Sequence, residues 1–125
     1  MGPVERVVRA AYQPPVRLVT AARGAPFVLK AIRRDGLVIL LGRQEAHTPI
    51  TWECLEGVPN FLRGRGWVRI GSRFETDADP GTLDEYMKGC IKRATAGWIA
   101  AFLEGAGVVE IFRGRPTRVR LRPGY

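Results

Sequence analysis

The chain has 125 residues, 46% of them hydrophobic, enough to bury one core or two small packed lobes and too few for a multidomain machine. Twenty basic against twelve acidic side chains give a formal charge of +8 and a pI near 10.5, the balance of a chain that meets phosphate or an anionic surface. No apolar run approaches the roughly 20 residues that span a bilayer, and the opening MGPVERVVRAAYQPP lacks the apolar stretch of a signal peptide. The expectation is a cytoplasmic protein without a membrane partner.

In chain order, Val4, Val7, Val8 and Ala11 repeat at helical spacing and predict a short amphipathic helix stopped by Pro14 and Pro15, or else a frayed terminus. VRLVT predicts a strand. PFVLKAI and GLVILL follow, separated by Arg33-Arg34-Asp35-Gly36, two strands around an Asp-Gly turn. The run Leu37 to Leu41 is continuously apolar, which implies burial on both faces or contact with the rest of the protein. Thr51 caps a helix through WECLEGVPNFL with Trp52, Leu55, Val58 and Leu62 on one face, and Gly57 and Pro59 leave open whether it is one helix or two short turns. GRGWVRIG alternates Trp67 and Arg69 against Val68 and Ile70, a short strand.

After the turn-rich SRFETDADPG, Thr82 and Glu85 form a capping box opening a helix in which Leu83, Tyr86, Met87 and Cys90 share a face. Thr95 caps the next helix, where Ile99, Phe102, Leu103 and Ala106 repeat the buried spacing and Gly105 and Gly107 end it. VVEIF and TRVRL close the chain as a hairpin over Arg113-Gly114-Arg115-Pro116. The fold class expected is α+β: a β-rich lobe with a short leading helix over residues 1–47, then a domain over 48–125.

The positive charge is concentrated at the end. Residues 86–125 hold eight basic groups against two acids, Glu104 and Glu110, whereas the first 85 hold twelve against ten. Lysine occurs only at 30, 88 and 92. Arginine forks match phosphate bidentately where lysine is a point charge, although a GC-rich genome produces the same bias without function. In the strand TRVRLR, Arg118, Arg120 and Arg122 alternate with Val119 and Leu121, a stripe of cations that Arg113, Arg115, Lys92 and Arg93 extend along a phosphate path. The bland alternative is a solvated strand face.

Other residues carry weaker signals. His47, the single histidine, lies in HTPIT with no nucleophile elbow nearby and reads as a turn or surface residue. Glu75, Asp77 and Asp79 alternate in an acidic turn, which would hold a divalent ion only with a further ligand, and Lys88 matches no nuclease spacing beside them. Trp52, Trp67 and Trp98 each sit in an apolar pattern and are assigned to the core, with Trp98 the most exposed. Cys54 and Cys90 form no CxxC and read as small buried hydrophobes in a reducing compartment. No catalytic residue, metal or cofactor is assigned.

The segment GTLDEYMKGCIKRATAGWIAAFLEGAGVVEI, followed by RPTRVRL, resembles the end of many bacterial winged helix-turn-helix domains, in which a helix closing on glycine leads directly to the wing. The resemblance covers the chain from residue 48 onward and is one of pattern. It implies a recognition helix at about Thr95 to Ala106, a wing at Arg113 to Thr117, and duplex DNA as partner. The outward side of that helix would show Ala96, Gly97, Ala100 and Glu104, none able to make bidentate base contacts. Three functions are weighed: a non-catalytic binder of double-stranded DNA held mainly through phosphates, which is favoured; a dimerisation or protein-interaction module that uses the Ala/Gly helix face and the apolar run 37–41; and, as the weakest, an enzyme using the 75–79 carboxylates and a metal.

Overall fold

The computed structural model describes residues 2–20, 24–41, 46–71, 81–91 and 96–125. Helix α1 (Pro3–Ala11) leads into a four-stranded antiparallel sheet, β1 (Val16–Val19), β2 (Pro26–Ile32), β3 (Gly36–Leu41) and β4 (Ala46–Thr51), paired in sequence order. Helix α2 (Trp52–Leu62), strand β5 (Val68–Arg69), helices α3 (Leu83–Cys90) and α4 (Ala96–Gly105), and the hairpin β6 (Val109–Phe112) and β7 (Arg118–Leu121) follow. The second sheet is antiparallel with β7 central, in the order β5-β7-β6. The fold is therefore α+β as expected, and its helix, strand, helix, helix, hairpin order is loosely consistent with a winged-helix-like arrangement.

The first helix is anchored. Gly2 offers no side chain to cap it, and the Glu56 carboxylate of α2 does so instead, accepting from the Val4 and Glu5 amides at 3.0 and 2.9 Å. Those are donors an isolated helix leaves open, and a carboxylate at a helix N-terminus is also favoured by the helix dipole. Val4 and Val8 are fully buried beneath it.

In the β2–β3 hairpin Arg33 N–H donates to Gly36 O at 2.7 Å, so Arg34 and Asp35 make the bend. The expected Asp-Gly turn is thus displaced by one residue. Gly36 opens β3 instead, where an added Cβ would strike the Ile50 carbonyl of β4. Strand β4 was not expected from the sequence. It pairs with β3 along its length, burying Thr48 and Ile50 and exposing His47 and Pro49, and the point between residues 47 and 48 lies inside it. Leu37, Val38 and Ile39 of the apolar run are all buried. The inner face of the sheet, with Phe27, Leu29, Leu37, Ile39 and Ile50, belongs to one core that also holds Leu55, Met87, Phe102 and Val119.

Helix α2 is continuous through Gly57 and Pro59, with Thr51 Oγ1 accepting from Cys54 N–H at 3.2 Å. Gly57 is needed there, because a Cβ would collide with the Tyr86 hydroxyl, which donates to the Cys54 carbonyl at 2.7 Å. Thr82 caps α3 by accepting from Glu85 N–H at 3.2 Å, while the Glu85 carboxylate reaches back to Gly81 N–H at 3.2 Å. Thr95, the expected cap of α4, lies outside the described residues. Helix α4 packs on α3, β1 and β6.

Cys54 and Cys90 are not independent buried hydrophobes: they are joined as a disulfide tying α2 to α3, with Cys54 buried and Cys90 exposed. Their separation of 36 residues hid a pairing that only the packing of two helices brings about.

The Tyr12 hydroxyl donates to the Phe102 carbonyl at 2.6 Å, fixing the end of α1 on α4. Burial, with Glu104 adding repulsion, pushes this phenol up to about 12. Folding thus favours the neutral ring, so its contribution is complete below pH 10 and is lost as pH climbs through about 12. The loss is on the order of 3 kcal/mol. Burial also raises Tyr86 and Tyr125, so an alkaline urea series on Tyr12→Phe should flatten the decline in part. A slope equal to wild type would show that Tyr12 is not the group titrating.

Candidate nucleic-acid interface

The second sheet separates its residues by alternation. Val68, Ile70, Val109 and Val119 point into the core. The other side carries cross-strand rows: Phe112 of β6 opposite Arg118 of β7 opposite Arg69 of β5, and Glu110 opposite Arg120 beside Trp67. This is the face on which the sequence places its arginine stripe.

Two of the arginines are engaged. Arg120 is ion-paired to Glu110 at 2.8 Å and lies over the Trp67 ring, 4.5 Å from its centroid. Arg113, in the loop after β6, donates from both terminal nitrogens to the two Glu104 oxygens, one at 2.7 Å; this hydrogen bonding raises its pKa above the ordinary arginine value. Exposed ion pairs of this kind are worth about 0–1 kcal/mol, so each can open to another anion at small cost. Arg115 in the loop, Arg118 on β7 and Arg122 just beyond it are exposed, and none has a carboxylate partner among the described residues. Lys92 and Arg93 lie outside the described residues, as do Glu75, Asp77 and Asp79.

The aromatic residues correct the sequence reading. Trp52 is buried and Trp98 half-buried, but Trp67 is 43% exposed and is the open tryptophan. Phe112, 48% exposed, meets it edge to face with centroids 6.1 Å apart. The Phe112 ring lies so close over the loop that a Cβ at Gly114 would enter it, so glycine there leaves the ring its place. Period-two alternation placed Trp67 with Arg69 on the outer side; assigning its bulk to the core overrode that pattern.

Helix α4 does not present the surface the winged-helix resemblance implies. Ala96 and Ala100, expected to face solvent, are buried with Ile99, Ala101, Phe102 and Leu103. The reason is legible in AGWIAAFLEG, which is apolar nearly all round, and such a helix is a core helix. Of the surface expected for a protein partner, made of this Ala/Gly face and the run 37–41, Ala96, Ala100 and Leu37 to Ile39 pack inside, while Gly97 and Leu40 are half-buried. His47 is exposed on β4 with Nε2 3.3 Å from Lys30 Nζ, not in a turn. An open groove of about 530 Å³ lies between β1 and α4, lined by Arg17, Val19, Ala101, Glu104 and Arg113.

No protein-family model, curated protein or solved structure matches the chain. No helix among the described residues is long and apolar enough to cross a membrane.

Proposed function

We propose that the chain is a non-catalytic nucleic-acid-binding protein whose C-terminal sheet contacts the phosphate backbone. The observation that carries this reading is the outer side of the sheet, where Arg118, between the Phe112 and Arg69 positions, has no carboxylate partner among the described residues and Arg115 extends from the adjoining loop. Guanidinium groups so placed meet phosphates and set register and strength, with little base information. Duplex DNA is held on this reading through its backbone alone. Helix α4, buried on most of its surface, takes no part in reading a groove.

A binding titration of a labelled duplex at two salt concentrations tests the proposal, with wild type beside Arg115→Ala/Arg118→Ala. Each lost phosphate contact removes about 0.9 from the slope of log affinity against log salt, so the double variant should bind more weakly on every sequence with a slope shallower by about 2. Equal binding by both proteins would remove the sheet as the contact. A second reading, a dimer or other protein interface, is favoured by the groove between β1 and α4 with Val19 57% exposed at its rim. It predicts instead a mass that grows with concentration and no response to these arginines.

A further inference from the structure

We infer that the outer face of the β5-β7-β6 sheet is a stacking platform for unpaired bases, so that the ligand class is single-stranded nucleic acid in preference to duplex. This deepens the reading above and rests on it. Among the described residues three large hydrophobic side chains stand exposed, Val19, Trp67 and Phe112, and two of them lie side by side on this face. Neither ring is needed to cover the core, because Val68, Val109 and Val119 beneath are already buried. The pair flanks the central strand that carries Arg118 and Arg120, so apolar ring surface and cations alternate across a few ångströms.

A phosphate-only surface has no use for exposed rings. Bases locked inside a duplex cannot reach them, whereas every unpaired base has a π face and stacks on an aromatic side chain with little regard to sequence. The Arg120 guanidinium, its Cζ 4.5 Å from the Trp67 ring centroid, already covers the ring where a base would stack, and it sits there by an ion pair weak enough to exchange. Arg118, in the row beside it, is placed to take the phosphate of the same strand.

The experiment compares three probes of equal length on the full chain at two salt concentrations: oligothymidylate, an abasic strand with the same phosphates, and duplex. Oligothymidylate should bind tightest and quench tryptophan fluorescence. Trp67→Ala should weaken it by roughly 5- to 150-fold while leaving the abasic strand unchanged. Trp67→Phe should retain most of the affinity and lose the quenching, which keeps the test valid if the alanine variant folds poorly. An oligouridylate arm assigns the source, RNA if it binds at least as well as oligothymidylate and DNA if it binds worse. Equal binding of all probes with a steep salt dependence would overturn the platform and leave the phosphate reading standing; quenching that persists in Trp67→Phe would also overturn it. Failure of every probe to bind would sink both.

Discussion

Replacing Phe102 by alanine is expected to cost about 3–5 kcal/mol, the largest effect of any single truncation proposed for this protein. The side chain is fully buried on α4, stacked on Tyr12 with ring centroids 4.9 Å apart and planes 15° from parallel. Its helix touches β1 of one sheet and β6 of the other. A ring removed from that position leaves a void that two sheets and two helices would have to move together to close, so both the transfer and the cavity contributions are lost. Domains of this size are commonly stable by about 5–15 kcal/mol, and the variant should melt roughly 10–20 °C lower. Phe102→Leu, which keeps most of the volume, should cost about 1–1.5 kcal/mol. A near-neutral alanine variant in a urea melt would mean that α4 is not the element on which the two sheets are assembled.

Reduction of the Cys54–Cys90 bridge should have the next largest effect, about 2–4 kcal/mol. The bridge closes a segment that includes most of α2, all of β5 and all of α3, with a separation of 36 residues. Cross-linking so long a loop restricts the unfolded chain, and freeing it restores that entropy. The denaturant midpoint should therefore fall under reductant, and the slope m should rise as the freed chain exposes more surface. Thiol titration of the denatured, unreduced protein provides the check: two reactive thiols there would mean that the bridge does not form.

The elements were legible where one physical signal dominated. Alternation in TRVRL placed Val119 inside and Arg118 outside, and the Thr51 and Thr82 hydroxyls announced two helix starts that the structure retains. What escaped depended on partners distant in the chain. The ion pair of Glu104 with Arg113 joins the end of α4 to the loop after β6 and leaves no local mark. That of Glu110 with Arg120 follows from hairpin register and could have been found by counting back from the loop, since Phe112 opposite Arg118 places 110 opposite 120. Strand β4 was hidden by Pro49 and two polar neighbours, although His47, Thr48, Pro49 and Ile50 alternate out and in. The cap on α1 comes from Glu56, which no reading of the first residues could supply.

Pro49 has one more effect. It occupies the rim strand of the four-stranded sheet, where a further chain would otherwise find a complete row of amide donors. With a donor missing in mid-strand, that rim is a poor template for adding backbone from a neighbouring copy, and ribbon-like growth of the sheet through β4 is blocked at its first step.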